Sequence, residues 1–154
     1  MSLKIIPFRP GLAKYFRDLN LSWLEKHFYV EPKDVELLEN CKSSIIDKGG
    51  YIFFAEIDSE IVGCYSMIKL KDSIYELGKM AVDQSYQGQK IGQKLMVHGI
   101  AFAKSQNWKE LLLYSNTILE PAIYIYKKFG FREVVMEKDT PYARSNIKMK
   151  LVLY

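Results

Sequence analysis

A short apolar run from Leu3 to Phe8 reads as a strand, and the pattern then changes period: Leu12, Phe16, Leu19, Trp23 and Leu24 recur at the three- and four-residue steps of an amphipathic helix between Leu12 and Phe28. Pro32 with Asp34 opens a second helical run that the pattern carries through Ile46. Gly49 and Gly50 break the chain. Tyr51 to Ile57 and Ile61 to Leu70 follow as two β-rich runs joined by the turn residues Asp58 and Ser59, and a turn at Lys71 to Ser73 leads into a third run, Ile74 to Val82. These three are expected to lie antiparallel. Ile91 to Asn107 carries the clearest helical period. Leu111 to Tyr114 is a wholly apolar run of the kind buried inside a sheet, followed by a helix from about Leu119 to Phe129 that Gly130 ends as a C-cap. Phe131 to Met136 and Ile147 to Leu153 complete the pattern as strands. The expected fold is α+β, one mixed, mostly antiparallel sheet of about seven strands flanked by about four helices. With no repeat, low-complexity tract or linker, residues 1–154 are expected to form one domain.

Composition changes this picture little. Hydrophobic residues make up 49% and charged residues 26%, enough apolar material to bury a core. The net charge of +4 is spread along the chain and not gathered in an arm, which argues against a nucleic-acid footprint. No stretch approaches the roughly 18 apolar residues of a membrane span, and MSLKIIPFRP has no apolar run of signal-peptide length. Cys41 and Cys64 stand far apart without a CxxC partner, so neither a disulfide framework nor a thiolate metal site is indicated. His27 and His98 lack an HExxH motif or acidic partners at ligand spacing, and no GxSxG elbow occurs. A cytoplasmic protein without metal, membrane or nucleic-acid partner is expected; a homodimer is left open.

The segment ELGKMAVDQSYQGQKIGQ, from Glu76 to Gln93, holds the most chemistry. A strand ends at Val82, a polar loop follows, and Gly88 and Gly92 stand at the entry to a helix. Unpaired N–H groups and the positive end of the macrodipole make such an entry an anion site, and glycines let a phosphate approach the main chain. Spacing alone equally allows Gly88 to shape a turn and Gly92 to let the helix pack tightly on the sheet. Neither GxGxxG nor GxxxxGK[ST] is present. Gln87 through Gly92, however, resembles the [Q/R]xxGx[G/A] signature of the GCN5-related N-acetyltransferase (GNAT) family. The preceding ELGKMAVD and the later AIYIYKKFGF resemble family segments in the same order. The resemblance covers Tyr51 to Phe131 well, extends loosely to the last strand and is weak before Tyr51. One position departs: Lys90 stands where the signature has a glycine, so Lys90 has to tolerate that backbone geometry, with its ammonium available to phosphate. The resemblance implies a GNAT-like sheet and acetyl-CoA as co-substrate. The backbone of Met80, Ala81 and Val82 would pair with pantetheine, and the amides of Gln87, Gly88, Gln89, Lys90, Ile91, Gly92 and Gln93 would cradle the pyrophosphate.

Acetyl transfer to an amine needs the neutral amine, whereas an ordinary ammonium, with a pKa of about 10.4, is almost wholly protonated at pH 7. Glu76, at the position of the family's frequent glutamate base and shielded by Tyr75, Leu77 and the cofactor, is the candidate base. Its alternatives are an outward-facing strand residue or a binder of a cationic substrate. Tyr126, which resembles the family tyrosine four residues before the GF turn, is the candidate proton donor to the departing thiolate, against a packing tyrosine. Tyr124, two residues earlier, must face another side of the helix. Asn116 either hydrogen-bonds the pantetheine arm or is a turn residue. Trp23, His27, Phe28, Tyr29 and the acidic Glu25, Glu31, Asp34 and Glu36 form either substrate walls for a cationic amine or the solvated face of a helix pair. The implied activity is acetyl transfer from acetyl-CoA to a primary amine of a small molecule or peptide by direct attack. The alternative is a non-catalytic module that binds or senses acyl-CoA.

Overall fold

The computed structural model describes residues 2–153. Seven strands form one sheet in the order β1-β2-β3-β4-β5-β7-β6: β1 is Leu3–Pro7, β2 Tyr51–Ile57, β3 Glu60–Lys71, β4 Ile74–Val82, β5 Glu110–Ser115, β6 Arg132–Val134 and β7 Ile147–Val152. Every neighbouring pair is antiparallel except β4 with β5, which run parallel. The β2–β3 hairpin turns on Asp58 and Ser59, both at positive φ (49° and 68°), the backbone hand that lets a two-residue turn follow strand twist. β6 is shorter than the expected run to Met136. Its partner β7 begins at Ile147, only one residue beyond the Lys148 opposite Val134, so β6 has no strand beside it as far as Met136.

Four helices cover the sheet: α1 Ala13–His27, α2 Pro32–Glu39, α3 Ile91–Ser105 and α4 Glu120–Lys128. α2 starts where Pro32 and Asp34 announce it, with a capping box in which the Glu31 N–H donates to the Asp34 carboxylate at 2.9 Å. It stops at Glu39 and does not run through Ile46. Asn40 leaves the helical region (φ −129°, ψ 47°), and the Ser44 hydroxyl lies within hydrogen-bond reach of the carbonyls of Glu36 (3.3 Å) and Asn40 (2.7 Å), local bonds of the kind that compete with a helical ladder. A single wide turn, Lys42–Ile46, follows.

The sheet has a core on each face. Phe53, Tyr65, Met67, Leu95, Leu111 and Leu113 pack together with α3, and Phe16, Leu24, Leu37, Leu38, Phe54 and Cys64 pack together with α1 and α2. Adjacent Phe53 and Phe54 fall into opposite cores because strand side chains alternate. His98 is tied into the first core's edge, its Nδ1 2.7 Å from the Tyr65 hydroxyl. Both cysteines are free and buried. Among the described residues no helix is long and apolar enough to cross a membrane.

Candidate active site

β4 and β5 pair only over residues 74–76 and 110–112. Beyond Glu76 the two strands part, so the edge of residues 77–82 that faces away from β3 has no strand beside it. The divergence opens a cleft of about 380 Å³. Trp23 and Leu24 of α1 and its C-cap Phe28 line one part of it, and Gly92, Gln93 and Met96 of α3 with Ile125 and Tyr126 of α4 line another.

At the α3 end two residues of the loop, Gly88 and Lys90, take positive φ. Gly88 sits at φ 85°, a value that favours glycine, and so shapes the turn. Lys90, the N-cap of α3, is left-handed (φ 59°, ψ 28°) and makes no side-chain cap. A glycine would adopt this conformation freely; for lysine it costs on the order of 1–2 kcal/mol. Left-handed Lys90 followed by helical Ile91 turns successive N–H groups into one concavity. The helical ladder starts with the Lys94 N–H to the Lys90 carbonyl at 3.0 Å, so the amides of Ile91, Gly92 and Gln93 precede it. A Cβ built at Gly92 meets nothing within 4 Å. Tight packing on the sheet is therefore not the reason for this glycine; it leaves open space beside the cleft. Gln87, Gly88, Gln89 and Lys90 are exposed, whereas the Ile91 side chain is buried in the core and offers only its amide. Of the pantetheine positions, Met80 lines the cleft, Ala81 turns its side chain into the second core, and Val82 borders a neighbouring depression shared with Gln87.

Glu76 stands where β4 and β5 separate, lines the cleft and is 7% exposed. Burial raises its pKa to about 7, with Lys79 and Lys33 pulling the other way. Tyr75 and Leu77 do not shield it as expected. Alternation sends both into the core beneath α3, where Tyr75 stacks on Trp108 with ring centroids 3.5 Å apart. Glu76 points to the opposite face, toward charges that the motifs did not mark. β4 carries a bulge there: Ser66 faces Gly78 and Cys64 faces Ala81, so two steps of β3 span three of β4, and Lys79 takes a positive φ of 51°. The Lys79 ammonium binds the fully buried Asp34. Arg144, from the segment before β7, grips Asp34 with two bonds (2.6 and 2.9 Å) and Glu31 with one (2.9 Å). Glu31 also accepts the Ala143 N–H at 2.7 Å, and Lys79 and Arg144 both lie over the Tyr142 ring, 4.4 and 4.5 Å from its centre. Burial would raise the Asp34 pKa, but Arg144 and Lys79 outweigh it and hold the carboxylate at about 2.

Glu31 and Asp34 are thus neither solvated nor free to receive a substrate; Glu25 and Glu36 are exposed and outside the cleft. Of the aromatic candidates, Trp23 and Phe28 reach the cleft and His27 and Tyr29 do not. Tyr126 reaches it as well, its pKa raised by burial against the Ser115 hydroxyl, while Tyr124 is 71% exposed on another side of α4. Asn116 also lines the cleft, but its amide group donates to the Arg144 carbonyl (2.7 Å) and its side-chain oxygen accepts the Ile118 N–H (2.9 Å). These bonds hold the turn that follows β5. Among the described residues, no group of three or more His, Cys, Asp or Glu side chains could hold a metal ion.

A family model described as "Acetyltransferase (GNAT) domain" matches residues 48–133. A probable N-acetyltransferase, camello, of Xenopus laevis is 30% identical over 114 residues, 72% of this chain and 52% of that protein. The chain spans about half the length of the curated relatives it matches. An acetyltransferase of the GNAT family from Staphylococcus aureus Mu50 superposes with a TM-score of 0.87 at 26% identity, covering 99% of this chain and 100% of that one. A GNAT family acetyltransferase from Elizabethkingia anophelis, solved with acetyl-CoA bound, superposes with a TM-score of 0.74 at 23% identity over 98% of both chains.

Proposed function

Because the chain belongs to the GNAT acetyltransferase family, we propose that it transfers an acetyl group from acetyl-CoA to a primary amine by direct attack, using the cleft between β4 and β5. The observation that carries this reading is the placement of a near-neutral, buried carboxylate, Glu76, in the same cleft as the open backbone cradle at Gly92. The cradle fits a pyrophosphate: the free amides of Ile91, Gly92 and Gln93 and the left-handed turn at Lys90 supply N–H donors at a helix start. The unpaired edge of β4 at Met80, Ala81 and Val82 can receive the amides of a pantetheine arm as a strand would. Acetyl-CoA supplies an activated thioester carbonyl.

The remaining chemistry belongs to the chain. Glu76, with a pKa of about 7, is half ionised near neutrality, so it can take a proton from an incoming ammonium and then release it to solvent. Tyr126 lines the cleft and keeps its proton at neutral pH, so its hydroxyl can donate to the sulfur as the carbon–sulfur bond breaks. Exclusion of water by Trp23, Leu24 and Phe28 strengthens both interactions. The two buried free thiols suit a reducing compartment, and a cytoplasmic location is part of this reading.

Thiol release from acetyl-CoA, followed colorimetrically across a panel of primary amines at pH 8, tests the proposal. Amine-dependent release is expected. If CoA raises the melting temperature but no amine releases thiol, transfer is overturned and only acyl-CoA binding remains; if CoA leaves the melting temperature unchanged, the cradle reading falls too.

A further inference from the structure

We propose that the acceptor is a small monoamine with a flat apolar body, an arylalkylamine in chemical class, seated against Trp23 and Phe28 with its nitrogen at Glu76. This rests on the transfer reading above and names its substrate.

Three features of the cleft support it. The first is the wall that α1 contributes. Trp23 and Phe28, partly buried, stand with ring centroids 5.7 Å apart at 41°; with Leu24 beside them they make a bent apolar surface on the cleft. Such a surface matches an aromatic body in shape and polarity.

The second feature is the charge count. Among the described residues, Glu76 is the only carboxylate that lines the cleft. Lys79 and Arg144 also line it, but Asp34 engages both and Glu31 engages Arg144. A diamine would place its nucleophilic nitrogen at Glu76 and leave its second ammonium among apolar walls without a carboxylate, an unfavourable burial. An α-amino acid would bring a carboxylate for which Lys79 and Arg144 are already committed. Asn20, the polar residue that α1 adds to the cleft, donates its side-chain N–H groups to the Phe16 carbonyl at 2.9 Å and the Cys64 sulfur at 3.4 Å. One cationic nitrogen with an otherwise uncharged body is the charge pattern that leaves nothing unpaired.

The third feature is size. A cleft of about 380 Å³ lies near the lower end of small-ligand sites, roughly 300–1,000 Å³, and it must also take the thioester arm, so a large acceptor has no room within it.

The test is calorimetric titration of the CoA-loaded protein, in which no transfer can occur, with 2-phenylethylamine, putrescine and L-phenylalanine at pH 8. The expected result is that 2-phenylethylamine binds at least tenfold more tightly than either of the others. Phe28→Ala, and Trp23→Leu as a replacement that keeps apolar volume, should each weaken that binding at least fivefold, with CoA affinity within twofold of the parent. Equal or tighter binding of putrescine or phenylalanine overturns the proposal, as does undetectable binding of 2-phenylethylamine or its undiminished binding to both variants. The two readings fail separately. Selective binding of 2-phenylethylamine without thiol release from acetyl-CoA keeps the ligand class of the cleft and removes transfer, and with it the acceptor role; thiol release that prefers putrescine or phenylalanine keeps transfer and removes the class.

Discussion

Replacing Glu76 by glutamine should make the protein more stable and less active, and the two effects should depend on pH in opposite ways. Burial raises the native carboxyl from an ordinary 4.5 to about 7. Between those values the native state holds a proton that the unfolded chain has released, so stability falls as pH rises through that window, and the whole cost is present above it. A displacement of that size corresponds to about 3 kcal/mol. Glutamine imitates the protonated acid at every pH. The variant and the parent should therefore unfold alike below pH 4.5 and diverge as pH rises, until at pH 8 the variant is more stable by about 3 kcal/mol, or roughly 6–12 °C in melting temperature for a chain of this size. Melting curves at half-unit intervals from pH 4.5 to 8.5 measure this directly. Turnover moves the other way: loss of a general base should lower kcat at least tenfold at pH 7, and the deficit should shrink as pH approaches the amine pKa, where more acceptor arrives neutral. If the two proteins melt together at pH 8, the raised pKa is refuted; if the variant melts higher but turns over at the parental rate at pH 7, Glu76 is a buried acid without a catalytic part.

Gly92→Asp should keep the melting temperature of the free protein within a few degrees, since nothing lies within 4 Å of the added Cβ, yet abolish the rise produced by CoA, which for the parent should reach about 2.7 kcal/mol at a hundredfold excess over Kd. Lys90→Gly relieves the left-handed lysine and should bind CoA as well as the parent or better, whereas Lys90→Val should be less stable than Lys90→Gly by at least about 1–2 kcal/mol in urea unfolding; equal stability of the two variants would refute the backbone argument. Arg144→Met strips Asp34 and Glu31 of their guanidinium and should cost about 3–5 kcal/mol by the same measurement. Tyr126→Phe should lower kcat at least tenfold with CoA affinity intact, and raising the pH should not rescue it.

Much of the fold was legible because local signals were strong. Positive φ at Asp58, Ser59 and Gly130 falls where the turn and cap residues predict it, and the strand runs match the sheet closely. The helical run drawn through Ile46 fails at Asn40, where side-chain bonds of Ser44 compete with a ladder that apolar spacing alone would continue. Lys90 shows how a departure from a motif carries physical information: the position demands a left-handed residue, and the substitution strains the backbone without removing the turn.

The other half of the site was hidden for a different reason. Glu31 and Asp34 have the composition of a solvated helix start, and nothing near them in the chain says otherwise. Their partner Arg144 lies 110 residues beyond Asp34, in a segment without period or motif, and the second cation reaches them only because a bulge in β4 re-aims Lys79. Such pairing is a property of the assembled sheet. It also bears on the base. Lys79 opposes the raised pKa of Glu76, and an ammonium committed to Asp34 does so less than a free one would. Asp34 in turn stays ionised because two cations outweigh its burial. The near-neutral Glu76 thus depends on a balance among α2, the β4 bulge and the segment before β7, which is why the motif residues of β4 and α3 leave the electrostatics around Glu76 unmarked.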